Sequence, residues 1–280
     1  MGRGTRSQRI SAGRRPGAKP VALSPATSVE YSPANNTRRR GGGRWGKNRL
    51  KPWKVASWCT AQVGADFVAR MDDVLDLYAQ AATAPDPTRP LGCFDERPMA
   101  LHADVHPGRP GAPGEPARVD DEYVRQGTCC CLLAFKPLDG WRHVTVSATR
   151  TNADCAHARR HRADACYPDA TPIRVVLDNL STHTAAALYQ TFAPAEARRL
   201  AQKLACHYTP THASWLNMAE LELAVLTRQC LARRLATQAD VAREGAAWQH
   251  GRNHAAAGVT WRFTTADARA TLARLYPQLA

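Results

Sequence analysis

Three carboxylates are placed where this chain could do chemistry: Asp95, Asp178 and Glu220. Asp178 closes Ile173-Arg-Val-Val-Leu-Asp, a β-branched run with the pattern of a buried strand. Asp95 closes a shorter run of the same kind, Leu91-Gly-Cys-Phe-Asp. An ionised carboxylate is too costly inside a strand's packed core, whereas a strand tip can present it to a metal or a substrate. Glu220 arrives by another route. Tyr208-Thr-Pro-Thr-His-Ala-Ser-Trp-Leu-Asn-Met-Ala-Glu reads as a strand end, a proline-stopped turn and a helix capped near Ser214. On that helix Leu216, Ala219, Leu223 and Leu226 make the packed stripe and Glu220 borders it, while Glu222 points nearly the opposite way. Two strand-borne aspartates and one helix-borne glutamate suit a pair of magnesium ions. These hard cations take oxygen ligands and, about 4 Å apart, clamp the attacking and leaving oxygens of a phosphodiester.

The neighbours of the three acids carry two readings each. Asn179 and His183 follow Asp178 on a loop that should overlook the site, and Asn217 shares a side of the helix with Glu220. All three are candidates for orienting the metal ligands. The plainer alternatives are a helix cap at Ser181 over a packed His183, and a structural hydrogen bond from Asn217. Thr209, Pro210 and Ser214 shape the turn. Glu96 points to the strand face opposite Asp95 and reads as a solvated surface charge. Cys155, His157, His161 and Cys166 are all ligand types, yet they do not form two paired clusters on separate knuckles, so no zinc is expected. Arg159, Arg160 and Arg162, interleaved with those histidines, read instead as a basic helix facing DNA. Arg228, Arg233, Arg234, Arg252 and Arg262 are candidates to line a DNA path, although a lone Arg is usually a solvated charge.

These residues need a scaffold, and hydropathy patterning outlines one. A helix is expected over Ala65 to Ala82, with Phe67, Val68, Met71, Val74, Leu75 and Tyr78 at helical spacing. The first strand ends at Asp95, and a Pro- and Gly-rich excursion spans His106 to Asp121. Thr128 to Phe135 and Trp141 to Ala148 read as strands around the turn Lys136-Pro-Leu-Asp-Gly. A helix over Asn152 to Tyr167, the Ile173 strand, one or two helices over Thr184 to Gln202 and a strand at Leu204 to Tyr208 follow. Three helices close the chain, at about Trp215 to Arg234, Ala239 to Asn253 and Ala266 to Leu275. The expectation is an α/β fold, a mixed sheet with helices on both faces.

Charge is distributed unevenly. Residues 1–54 carry 14 Lys and Arg against the single Glu30, a net of +13, and the remainder 24 basic against 23 acidic residues, a net of +1, so nearly all of the net +14 belongs to the N-terminal stretch. Such a segment can hold phosphate backbones by counterion release without reading sequence, or stand as a solvated disordered arm. The candidate DNA contacts are Arg38, Arg39, Arg40, Arg44, Lys47, Lys51 and Lys54. Nine cysteines without a Cys-x-x-Cys pair read as reduced thiols of a cytosolic protein. No apolar run approaches the ~20 residues of a membrane span.

Asp178-Asn-Leu-Ser-Thr-His, Tyr208-Thr-Pro-Thr-His-Ala-Ser-Trp-Leu-Asn-Met-Ala-Glu and the tail Trp261-Arg-Phe-Thr-Thr-Ala-Asp-Ala-Arg resemble, in order, the DDE catalytic domain of bacterial insertion-sequence transposases in the branch related to mariner elements. The likeness runs from about Leu50 to the C terminus. It implies a ribonuclease-H-like fold with a five-stranded mixed sheet. It also implies that Asp95, Asp178 and Glu220 bind two Mg²⁺ or Mn²⁺ ions to cut and join double-stranded DNA at transposon ends and target. A homodimer on DNA, in the bacterial cytoplasm and associated with the nucleoid, goes with that reading. The expected organisation is a disordered basic arm over 1–49, a helical remnant of a DNA-binding region and linker over 50–86, and the catalytic domain over 87–280. Two departures stand out. Only Asn48-Arg-Leu-Lys-Pro-Trp-Lys-Val-Ala-Ser-Trp-Cys resembles the helix-turn-helix region usual in the family, which leaves a truncated, transposition-incompetent DNA-binding remnant as the alternative. Forty-one residues separate Asp178 from Glu220, wider than is usual among mariner relatives, with the extra length expected in Tyr189 to Lys203.

Overall fold

The computed structural model describes residues 64–273 and Tyr276. Its centre is a five-stranded mixed sheet built of β1 (Leu91–Asp104), β2 (Tyr123–Lys136), β3 (Trp141–Ser147), β4 (Ile173–Leu177) and β5 (Leu204–Tyr208), in the order β3-β2-β1-β4-β5. β1, β2 and β3 run antiparallel, and β1, β4 and β5 run parallel. The helices are α1 (Ala65–Thr83), α2 (Asn152–His161), α3 (Ala185–Thr191), α4 (Pro194–Lys203), α5 (Met218–Leu226), α6 (Gln238–His254) and α7 (Thr265–Thr271). This is the ribonuclease-H-like arrangement. Arg38, Arg39, Arg40, Arg44, Lys47, Lys51 and Lys54 lie outside the described residues.

Composition explains why the sheet core is dry. All five residues of β4 are buried, as hydrophobic runs between two helical layers must be. On one side Phe94, Leu132, Val175 and Leu177 pack with Cys155, Ala156, Leu188 and Leu200 of the helices. Cys129, Cys130 and Cys131 sit in β2 as small apolar fillers, and burial pushes the Cys130 and Cys131 thiols up to about 12.

The structure revises three expectations. β1 does not stop at Asp95 but continues to Asp104, because β2 pairs along its whole length, with a register shift between Ala100 and His102. What ends near Asp95 is the parallel neighbour: the β1/β4 ladder closes at Cys93 and Val176. The helix expected from Trp215 begins at Met218. Its cap is Asn217, in an extended conformation with its side chain accepting from Ala219 N, while 214–216 form a separate 3-10 turn.

The third revision concerns the basic helix, which faces the core rather than DNA. Arg159 and Arg162 are 2% exposed. Arg159 Nη1 donates to the carbonyls of His183 and Thr184, and Arg162 Nη1 to that of Cys93. Arg162 crosses β1 at Gly92, where a Cβ would stand 1.4 Å from its Nη2, so only glycine admits the guanidinium there. Arg160 instead pairs with Asp164 and Glu196. The proposed DNA-path arginines are also largely engaged: Arg233 with Glu244, Arg234 with Asp104 and Arg252 with Glu222. Tyr189 to Lys203, where the extra length is expected from the sequence, holds the end of α3 and all of α4.

The tail motif has a structural explanation. Trp261 packs against Tyr78 of α1 and Trp215 of the 3-10 turn, and Phe263 meets Trp215 edge-on. Thr264 and Asp267 form a reciprocal capping box on α7. Thr265 then bonds Asp76, and Arg269 pairs with Asp72. Tyr78 Oη donates to Leu216 O at 2.7 Å, so α1, the tail and the approach to α5 are one packed unit.

Candidate active site

Asp95 and Asp178 come from adjacent parallel strands at the end where their ladder opens. Asp95 is buried. Desolvation first, and then the negative charge of Asp178, push its carboxyl up to about 7, against a donated backbone N–H from Glu96 at 2.8 Å. The β1/β4 ladder ends at Cys93 and Val176, two residues before each aspartate, so the two acids leave neighbouring strands at the same end. Asp178 itself is held below the usual carboxylate range: burial opposes ionisation, but the His183 hydrogen bond and charge and the Leu180 N–H outweigh it.

Glu220 stands exposed on the first turn of α5. Asn217 determines where that turn begins: its Nδ2 donates to Phe94 O at 2.9 Å, its Oδ1 accepts from Ala219 N, and its carbonyl accepts from Glu220 N. Because Phe94 precedes Asp95, Asn217 staples the start of α5 to the strand that carries the first aspartate. Both ends of its amide serve backbone partners, so it orients the helix and not the Glu220 carboxylate. Glu222 faces the interior, 1% exposed, between Arg142 and Arg252. Asn179 is likewise a staple. Its Oδ1 accepts from Arg70 at 2.7 Å and its Nδ2 donates to Thr209 O, joining the Asp178 loop to α1 and to the turn after β5. In that turn His212 adopts a left-handed conformation, φ 64°.

His183 and Glu96 depart furthest from the sequence reading. Glu96 is not a solvated charge: its side chain is fully buried and Oε2 lies 2.5 Å from His183 Nε2. On the other side of the ring, Nδ1 lies 2.6 Å from Asp178 Oδ1. Burial alone would lower the imidazole's proton affinity, but its contacts with Asp178, Cys155 and Glu96 prevail and raise it to about 11. His183 is therefore a charged imidazole held between two carboxylates, hydrogen-bonded to Glu96 through Nε2 and at ion-pair distance from Asp178 through Nδ1. The signal that could have found Glu96 was the histidine five residues after Asp178, which needed an anion to be buried charged.

Donor sets for a metal can be compared on these contacts. Asp178 uses Oδ1 for both its bonds, Asp95 uses Oδ1 for the Glu96 N–H, and the Glu220 carboxylate has no protein partner among the described residues. Each acid thus keeps oxygen free, and burial and the Asp178 charge both oppose ionisation of Asp95, a cost that a hard divalent cation relieves. Among the described residues Glu96, Cys155 and His183 also bring ligand atoms within 4.8 Å of one another, but the 2.5 Å Glu96–His183 bond fills that space. The other ligand types on and after α2 disperse: His157 meets Phe192 edge-on and His161 lies against His143.

No curated protein sequence matches the chain. In solved structures, the Mos1 strand transfer complex superposes with a TM-score of 0.51 at 11% identity, covering 82% of this chain and 67% of that one. The catalytic domain of Mos1 mariner transposase gives 0.47 at 11% identity, over 79% of this chain and all of that one. The first likeness is one of fold. Residues 90–242 match the family model described as DDE superfamily endonuclease, a span that contains Asp95, Asp178 and Glu220. With that match covering more than half its length, the chain belongs to the DDE superfamily endonucleases.

Proposed function

We propose that this chain is the catalytic part of an insertion-sequence DNA transposase that cleaves and joins DNA strands with divalent cations. The observation that carries the reading is that Asp95 and Asp178 leave the neighbouring parallel strands β1 and β4 at the same end, within the span that matches the DDE endonuclease family. Asp95, Asp178 and Glu220 would hold two Mg²⁺ or Mn²⁺ ions, which supply activation of water or a 3′ hydroxyl and stabilisation of the leaving oxygen. The chain's own part is positional. Asn217 presents Glu220 by starting α5 against Phe94, Asn179 ties the Asp178 loop to Thr209 and Arg70, and His183 holds Asp178 Oδ1.

Double-stranded DNA is the substrate and a homodimer the working unit in this reading. Arg38, Arg39, Arg40, Arg44, Lys47, Lys51 and Lys54 would contact phosphates and contribute affinity that falls steeply with salt. No helix among the described residues is long and apolar enough to cross a membrane. The test pairs a gel shift with nicking of supercoiled plasmid in Mg²⁺. Cleavage by the native chain and none by Asp178→Asn supports the proposal. DNA binding without any cleavage by the native chain supports the transposition-incompetent remnant instead.

A further inference from the structure

Glu96 follows Asp95 directly, yet nothing in the proposed cation site uses it. A buried carboxylate is costly unless paired and hydrogen-bonded, and this one is bonded to a group that reaches the site. Glu96 Oε2 lies 2.5 Å from His183 Nε2, Glu96 Oε1 accepts from Thr182 Oγ1 at 3.4 Å, and His183 Nδ1 lies 2.6 Å from Asp178 Oδ1. Side-chain exposure runs 0% for Glu96, 0% for His183 and 22% for Asp178, so the chain of contacts leads from the closed interior to the open site.

The ring between the two carboxylates has little freedom. Phe94 meets the imidazole edge-on, with centroids 5.5 Å apart. The His183 carbonyl accepts from Arg159 Nη1 at 2.8 Å and Tyr208 Oη at 3.0 Å. Those contacts anchor the backbone and leave rotation about the side-chain torsions to be decided. Glu96 Oε2 bonds the nitrogen remote from Asp178, and Cys155 lies against the same group. A carboxylate on the far nitrogen of a histidine determines ring orientation and which group the near N–H addresses.

We propose that Glu96 is a positioning residue of the strand-cleavage reaction, holding the Asp178 carboxylate toward the cation site through the His183 imidazole. This rests on the reading of Asp178 as a cation ligand. Asp178 Oδ1 is retained by the ring and Oδ2 is left for the ion. Without Glu96 the ring can turn, Asp178 gains rotamers, and the site is assembled for a smaller fraction of the time.

The experiment uses the full chain. In Glu96→Gln, plasmid nicking should fall about 10- to 100-fold and the Mg²⁺ half-saturation should rise, the scale usual for partners of metal ligands, with the gel-shift midpoint for DNA within twofold of native. Adding Glu96→Gln to His183→Gln should cost little more than His183→Gln alone, because both act through one path. In the native chain, nitrogen-15 spectra should show a hydrogen-bonded His183 Nε2–H, and that resonance should shift or broaden in Glu96→Gln. If Glu96→Gln does not fold, the native spectrum and His183→Gln decide. A ring without a hydrogen-bonded Nε2–H, or native Mg²⁺ half-saturation in His183→Gln, overturns the proposal. Native nicking and half-saturation in Glu96→Gln, with Asp178→Asn inactive, also overturns it while leaving the cation site standing. Activity in Asp178→Asn overturns the site itself.

Discussion

Glu96 and Glu222 are both buried acids in charged networks, one residue and two residues beyond a candidate catalytic acid, and their networks end differently. Glu222 is closed on every side. Arg142 Nε lies 2.8 Å and Arg252 Nε 2.7 Å from its Oε1, Arg142 also bonds Asn253, and the guanidinium stacks on Phe135 and Trp248. That network ties β3, α5 and α6 together and stops there. The Glu96 network passes through one imidazolium and surfaces at Asp178. Burial of a carboxylate therefore says nothing about function until its last partner is known. The same electrostatic requirement, a cation for each buried anion, yields a cross-link in one place and an oriented ligand in the other.

The contrast can be broken by substitution. Asp178→Asn, with Asp95→Asn and Glu220→Gln beside it, should reduce Mg²⁺-dependent nicking by at least about 10³-fold, the scale of losing a preorganised charge-stabilising group. Cooperative unfolding should persist, and nicking above that level removes the acid from the site. Glu222→Ala should do the reverse. Leaving Arg142 buried without its partner should cost about 3–5 kcal/mol in urea unfolding, while the Mg²⁺ half-saturation of the surviving folded fraction stays near native.

A pH experiment sharpens the comparison. The Asp95 carboxyl is raised to about 7 from the ordinary 3.8, so the folded, metal-free chain binds this proton more tightly than the unfolded chain. The associated stability is fully present below about pH 4 and is lost as pH rises through about 7. Asp95→Asn should accordingly stabilise the metal-free chain at pH 8, by about 1–3 kcal/mol, and by nothing at pH 4. Equal effects at both pH values would show that burial and the Asp178 charge do not raise the Asp95 carboxyl. The smallest effect should come from the tail: Asp267→Ala removes half of the α7 capping box and should cost about 1 kcal/mol, read as a small drop in Tm.

Much of the fold was legible because hydrophobic period is local. Ile173 to Leu177 read as a buried strand and is one, whereas the helical rotation that set Glu220 beside the packed stripe did not show that Glu222 is the buried acid and Glu220 the exposed one. The failures share a cause. Arg159 and Arg162 read as a DNA-facing surface because Arg is usually solvated. Their burial depends on the carbonyls of His183 and Cys93, remote in sequence, and on the missing Cβ of Gly92. Glu96 read as solvated because strand alternation turns it away from Asp95; alternation cannot show that the loop after β4 brings His183 to it.

By itself, then, the sequence determined that a buried strand ends just before Asp178, and the order of strands and helices along the chain. Those follow from residue type and period, which act over a few residues. Only the tertiary structure decided which buried charges meet: Glu96 with His183 and Asp178, and Glu222 with Arg142 and Arg252. Such pairings join groups 30 to 87 residues apart, and each is selected by the need to neutralise charge in a low-dielectric interior once packing has brought the partners within reach.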